Sequence, residues 1–330
     1  MSRIAIIGAG AWGTALALSL ARRGGHTLSL WAHSPAHAEE LNHSGENLRY
    51  LPHFVLPADV RVTSDLLLAT TAADIVLCAT PSQRLREIMA QLAPHLTSQQ
   101  IILSASKGIE DTTFLRMSQV VREHAANPFA TLSGPSFAQE VAAGMPTAIA
   151  VAADDEAIGK AIQDAFTSPS LRVYRNQDVT GTELGGALKN IIALAAGVVH
   201  GLDLGSNSVA ALITRGMAEM TRLSIACGGR RETLAGLSGI GDLVLTCTGG
   251  LSRNRSVGIE LGRGRKLPDI LEGLNGKVAE GVRTTTAALG LAARYGVEMP
   301  ITEQVAAILH EDKSPQNAIR DLMTRPGRTE

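Results

Sequence analysis

The segment ELGGALKNIIALAAGVV, residues 183–199, carries one charge after its opening glutamate, that of Lys189. An ammonium taken out of water is costly unless it is paired or gives up its proton. Burial lowers the pKa of a lysine, and a lysine titrating near neutral pH can act as a general acid or base. The competing reading is a structural lysine that snorkels or forms an ion pair. On a helix, Leu184, Leu188, Ile191, Ile192 and Ala195 make one apolar face, and Lys189 falls on the other side. There it stands among Gly185, Gly186, Ala193, Ala196 and Gly197, whose small side chains admit a close neighbour. A helix this apolar all round is expected to be buried, with Lys189 facing a crevice. In GIGDLVLTCTGG, Asp242 and Thr246 are four residues apart and share a helical face. The run Ser252-Arg253-Asn254 follows. An arginine fork flanked by hydroxyl and amide donors suits a phosphate or a carboxylate.

A second chemistry is written at the N-terminus. GAGAWG places Gly8, Gly10 and Gly13 in G-x-G-x-x-G spacing, between an apolar strand and a helix. In that context the first glycine permits the tight turn and the second lets a pyrophosphate approach the backbone. The third allows close packing of helix on strand. The free N–H groups at the helix start would hold the phosphates of a dinucleotide. The second strand ends in LSLWAHSP, so His33 and Ser34 stand where an NAD site usually places a carboxylate. That favours NADP(H), or use of both NADP(H) and NAD(H). SASKGIE puts Lys107 just beyond a strand end, and LSGPSFA does the same for Gly134 and Ser136. Open α/β sheets bind ligands at that edge. Glu280 lies in another glycine-bounded stretch, GKVAEGV.

Alternating elements must position these groups. Short apolar runs at 3–8, 27–32, 74–80, 100–106, 129–134 and 147–153 read as buried strands. Helix-compatible segments at 12–23, 82–93 and 113–124 separate them, which predicts a parallel α/β sheet of Rossmann type. After about residue 180 the Ala/Leu/Ile-rich segments 183–199, 207–227, 284–296 and 301–312 follow one another without strands. The expected organisation is a dinucleotide-binding domain over 1–180 and an all-helical substrate and catalytic domain over 181–330.

Composition narrows the function class. The 330-residue chain is 45% hydrophobic and 18% charged with a net charge of −1, which argues against a nucleic-acid binder. Aromatic residues make up 3%, too few for base-stacking platforms. Cys78, Cys227 and Cys247 are odd in number and far apart, reading as inert thiols in a reducing cytoplasm rather than as disulfides or metal ligands. Residues 4–21 carry no charge, yet a nucleotide-binding turn explains their three glycines better than a signal peptide or membrane span. No membrane insertion is expected. A homodimer is, because the helical half is rich in Ala and Gly.

The blocks GAGAWGTALA, SASKGIE, LSGPSFAQEV, ELGGALKNIIALAAGV, GIGDLVLTCT, SRNR and VAEGV stand in the order found in bacterial NAD(P)-dependent glycerol-3-phosphate dehydrogenases. The chain resembles that family from residue 3 to about residue 310. The resemblance implies an all-α C-terminal domain like that of 6-phosphogluconate dehydrogenases. It also implies reversible reduction of dihydroxyacetone phosphate to sn-glycerol 3-phosphate, feeding glycerophospholipid synthesis. Carried over by position, Lys189 would donate or accept the proton, with Asp242 orienting it and Asn190 and Thr246 in support. Lys107, Gly134 and Ser136 would contact substrate, Lys107 also touching cofactor. Ser252, Arg253 and Asn254 would hold the substrate phosphate, Arg253 also near cofactor. Ala11, Trp12, His33, Tyr50, Ala138, Val278 and Glu280 would line the cofactor site. The chain departs from the pattern at Ala11, where many members have serine, and at the His33-Ser34 end of the second strand, where some have an arginine nearby. Two other readings remain open on the residues alone: a β-hydroxyacid dehydrogenase acting on a carboxylate, and a non-catalytic NAD(P)H-sensing protein.

Overall fold

The computed structural model describes residues 1–273 and 279–327. Its N-terminal part is one eight-stranded sheet. The strands are β1 (Ser2–Ile7), β2 (His26–Trp31), β5 (Val60–Thr63), β6 (Ile75–Cys78), β7 (Ile101–Ser104), β8 (Phe129–Ser133), β9 (Thr147–Ala152) and β10 (Leu171–Asn176). Between β2 and β5 the chain forms a small antiparallel hairpin of β3 (Glu46–Asn47) and β4 (Leu51–Val55). The sheet order is β10-β9-β8-β7-β6-β1-β2-β5. The chain therefore reverses direction across the sheet between β1 and β6, and a crevice opens at that point beyond the carboxyl ends of the strands. The glycine turn leaves β1 there, and the helix Ala11–Arg23 follows it.

The continuous apolar runs became the buried central strands, because a strand covered on both faces has no polar side to show. Apolar cores built around Ile4, Ile6 and Leu30 on one face, and Ala5, Ile7 and Val76 on the other, cover the sheet. β5 and β10 escaped the sequence reading for the converse reason. Each lies at a sheet edge, and β10, LRVYRN, alternates buried Leu171 and Val173 with exposed Arg172 and Tyr174. The expected helix at 113–124 is shorter, Met117–Arg122, because Phe114 has φ of 59° and Arg116 is extended.

The sheet is parallel as expected, with an antiparallel pair at one place. β8 and β9 pair antiparallel, Leu132 opposite Val151, while the other pairs in the sheet are parallel. An antiparallel return needs no crossover. Residues 134–146 consequently stay at the edge where β8 ends, which is also where the glycine turn lies.

After Asn176 the described residues form helices and no strand. The helix Val179–Gly201 is the axis of this part, and every residue from Gly181 to Val199 is buried. It is long and apolar enough to cross a membrane, but 89% of that window is buried inside the protein. Around it pack Gly205–Ala226, Asp242–Thr248, Arg253–Gly262 and Glu280–Tyr295. The small residues opposite its apolar face admit backbone. A Cβ at Gly197 would lie 2.1 Å from the Arg255 carbonyl oxygen, and one at Gly258 would lie 2.0 Å from that of Leu194. The helix Arg253–Gly262 thus crosses the central helix at glycine-to-glycine distance, which brings Asn254 beside Asn190.

Candidate active site

Lys189 sits on the central helix with its side chain 8% exposed. Its Nζ donates to Asp242 Oδ1 at 2.5 Å and to Thr246 Oγ1 at 2.9 Å. Asp242 and Thr246 share one face of the helix Asp242–Thr248, as their spacing implied, and the Thr246 hydroxyl donates back to the Asp242 carbonyl at 2.6 Å. The second oxygen of Asp242 accepts from Lys107 Nζ at 2.7 Å, and Lys107 also donates to the Gly134 carbonyl at 3.0 Å. One buried carboxylate therefore serves two lysines. Burial lowers the Lys189 pKa to about 8, Asp242 opposing the shift and Lys107 adding to it. Burial alone would raise the Asp242 pKa, but the two lysines outweigh it and hold the carboxyl below its ordinary value.

Lys189 opens onto a cleft of about 720 Å³ that runs from the helical part to the sheet edge. At the helical end it is lined by Asn190, Thr246, Ser252, Arg253, Asn254 and Glu280. Ser252 caps the helix Arg253–Gly262 by accepting from Arg255 N at 3.2 Å. The Asn254 amide donates to Asn190 Oδ1 at 2.9 Å and accepts from Gly281 N at 3.0 Å, so its orientation is set from both sides. The Arg253 residue is open to the cleft, yet the walls surround its guanidinium, and that desolvation lowers its pKa against the pull of Glu280. Burial raises the pKa of Glu280, whose carboxylate accepts from the Ser82 hydroxyl at 2.8 Å. A helix N-terminus carrying an arginine and amide donors is suited to a phosphate.

At the sheet end the lining residues include Gly8, Gly10, Ala11, Trp12, His33 and Tyr50, with Lys107, Ser136 and Ala138 between the two ends. The glycines have three different environments. Gly8 has φ of 121°, and a Cβ there would lie 2.7 Å from the Ala79 carbonyl. At Gly10 nothing lies within 4 Å of the Cβ position, so the turn faces open cleft. A Cβ at Gly13 would lie 1.9 Å from the Gly8 carbonyl. A dinucleotide fits this surface: the backbone over Gly10 is open for close approach of a pyrophosphate. Trp12 Nε1 and Thr80 Oγ1, both on cleft-lining residues, are buried without a hydrogen-bond partner. Buried polar atoms without partners are rare, and a bound ligand would satisfy such groups.

The structure therefore brings most of the sequence candidates into one cleft. Gly13 and Asp242 stand behind its wall, and Gly134 contributes the carbonyl that holds Lys107. Val278 lies outside the described residues. Sequence reasoning passed over Thr80, Ser106, Phe137 and Arg49, which also line the cleft. Ser106 and Phe137 adjoin Lys107 and Ser136 in blocks already singled out. Asn47 gave no signal, because asparagine is usually exposed. Here it is fully buried, and its amide donates to the Ala9 carbonyl at 2.9 Å and to Thr14 Oγ1 at 2.7 Å.

Comparison with known proteins agrees with this geometry. The family model for the NAD-dependent glycerol-3-phosphate dehydrogenase N-terminus matches residues 3–159, and that for the C-terminus matches residues 178–320. The glycerol-3-phosphate dehydrogenase (NAD(P)+) of Acidobacterium capsulatum is 59% identical over 100% of both chains. That of Koribacter versatilis is 57% identical over 100% of this chain and 99% of its own. The crystal structure of glycerol-3-phosphate dehydrogenase from Coxiella burnetii superposes with a TM-score of 0.95 at 41% identity, covering 98% of this chain and 99% of that one. With both halves matched in order and relatives aligned end to end, the chain belongs to the NAD-dependent glycerol-3-phosphate dehydrogenase family.

Proposed function

We propose that this protein catalyses the reversible, NAD(P)H-dependent reduction of dihydroxyacetone phosphate to sn-glycerol 3-phosphate, the backbone of glycerophospholipids. The observation that carries the reading is the Lys189–Asp242 pair, 2.5 Å apart, at the floor of a cleft that also holds a dinucleotide turn and an arginine-bearing helix N-terminus. The chemistry supplied by the bound cofactor is hydride transfer to the substrate carbonyl carbon. The protonated Lys189 Nζ gives its proton to the carbonyl oxygen as that oxygen becomes an alkoxide, and in the reverse direction the neutral amine takes it back. Asp242 aims Lys189, with Thr246 fixing the approach from the other side. Lys107, held between Asp242 and the Gly134 carbonyl, leaves one N–H for the substrate, as does the Asn254 amide. Arg253, Asn254 and Ser252 hold the substrate phosphate, so that binding energy remote from the carbonyl positions the reacting atoms. Gly134, Ser136 and Asn190 complete the substrate side. Gly8, Gly10, Ala11, Trp12, Gly13, His33, Tyr50, Ala138 and Glu280 form the cofactor side, which Lys107 and Arg253 also touch. The division into a dinucleotide-binding domain over 1–180 and a helical domain over 181–330 follows from the same assignment, and we place the protein in the cytoplasm as a homodimer.

The test is nicotinamide absorbance over time with dihydroxyacetone phosphate, for wild type and Lys189→Ala, with NADPH and NADH in parallel. Oxidation by the wild type, reduced at least about a hundredfold in a variant that still binds cofactor, is the expected result. A folded, cofactor-binding wild type that oxidises neither cofactor with this substrate, yet does so with a β-keto acid, would overturn it.

A further inference from the structure

The end of β2, where the adenosine ribose of a dinucleotide lies in this sheet topology, carries no carboxylate. Of the residues lining the cleft, Glu87 and Glu280 are the acidic ones, and each is already engaged, Glu87 with Arg84 at 2.9 Å and Glu280 with Ser82. Into the same end of the cleft project His33, Ser34 and Arg49. Arg49 stands on the tip between β3 and β4, an element that neither the glycine spacing nor the strand pattern announced. The Arg49 guanidinium lies 5.2 Å from the centre of the Tyr50 ring, and Tyr50 in turn packs edge-on against His37 at 5.4 Å. Among the described residues it donates no hydrogen bond to protein, so its fork remains free for a ligand.

This placement is not that of a loosely tethered surface arginine. Asn47, at the start of the same tip, is fully buried and bonded to the Ala9 carbonyl and to Thr14 Oγ1, and its own Oδ1 accepts from Tyr50 N at 3.2 Å. The hairpin tip and the glycine turn are thereby one unit, so the backbone that carries the exposed Arg49 is fixed relative to the pyrophosphate cradle. Glu46, the nearest acid on the hairpin, accepts from His53 N at 3.2 Å.

We propose that Arg49 binds the 2′-phosphate of NADP(H), with His33 and Ser34 beside it, and so makes this chain select the phosphorylated dinucleotide over NAD(H). The inference rests on the reading of the cleft as a dinucleotide site and deepens it. Guanidinium is charged at every accessible pH and its planar fork matches a phosphate, whereas a 2′-hydroxyl offers it only a neutral partner. Stacking on Tyr50 reduces the side-chain freedom that binding would otherwise have to remove.

The experiment compares 2′-phospho-ADP-ribose with ADP-ribose by titration calorimetry, so that neither substrate nor turnover enters the readout. Wild type is expected to bind the 2′-phosphorylated ligand at least about tenfold more tightly, as a charge-assisted contact of this kind allows. Arg49→Met should bring the affinity ratio close to one, and Arg49→Lys should retain part of it. Equal binding of the two ligands by wild type overturns the proposal while leaving the dinucleotide site intact. A ratio that survives in Arg49→Met but collapses in His33→Ala overturns the assignment to Arg49. Failure of wild type to bind either ligand removes both readings.

Discussion

Asp242 divides its two oxygens between two lysines, and that sharing decides what substitution at either end should do. Replacing Asp242 by asparagine leaves Lys189 and Lys107 facing each other with no counter-charge. Breaking a buried ion pair in this way costs about 3 kcal/mol, so Asp242→Asn should lower the thermal midpoint by several degrees as well as the turnover. Lys189→Met differs: Asp242 keeps Lys107, the desolvated ammonium is gone, and turnover should be lost with no fall in the midpoint. Melting curves of the two variants side by side check this, and a midpoint lower for Lys189→Met than for Asp242→Asn would contradict it. The pH dependence has a definite sign. Lys189 titrates at about 8, below its ordinary 10.5, and donates only when protonated. Reduction should therefore hold below about pH 8 and fall above it, while oxidation should rise through the same pH. Profiles of kcat/KM in both directions, which report the free enzyme, test the pair of signs. The lysine was legible as a residue out of place in an apolar run. From the residues alone its partner was legible only as a residue four positions from a threonine, and the resemblance to the family supplied the pairing.

Among the elements, the central helix and its crossing with Arg253–Gly262 carry the site. Gly197 and Gly258 let the two backbones touch, and the contact seats Asn254 against Asn190. Gly197→Leu would place its Cβ 2.1 Å from the Arg255 carbonyl, so the helices must move apart. The expected outcome is a loss of about 2 kcal/mol, typical of overpacking, together with a raised KM for dihydroxyacetone phosphate as the phosphate grip shifts. A variant of wild-type stability with unchanged KM would show that the close crossing is not needed. The buried parallel strands, the long helices and the glycine turn could be read from pattern. The β3–β4 hairpin could not, because Glu46–Asn47 is two residues long and its anchor is a polar side chain.

At the scale of the whole molecule, polar contacts as well as apolar ones tie sheet to helices around the cleft. Glu183, buried on the central helix, accepts from Arg116 Nη1 at 2.6 Å, from Ser118 N at 2.6 Å and from the Ser118 hydroxyl at 2.7 Å. Lys107–Asp242 and Ser82–Glu280 make the same crossing nearer the site. Glu183→Ala strands a half-buried guanidinium and two donors, and should cost about 3 kcal/mol, read as a lower thermal midpoint. Because Glu183 lies away from the cleft lining, dinucleotide affinity at low temperature should stay within a few-fold of wild type. Loss of binding without loss of stability would assign Glu183 a different part.

What the sequence by itself determined is what local pattern can carry. Glycine spacing, apolar runs and helical periodicity depend on neighbours a few residues away, and they specified the Rossmann-type sheet, the helical second half and the placing of Lys189 on a buried helix. Tertiary structure alone decided which distant groups meet: Lys107 with Asp242 across the sheet–helix boundary, Asn47 with the glycine turn, and the antiparallel return that keeps Ser136 and Ala138 at the cleft. Those contacts span tens to more than a hundred residues of chain, and the elements between them close that distance only when the apolar faces have packed.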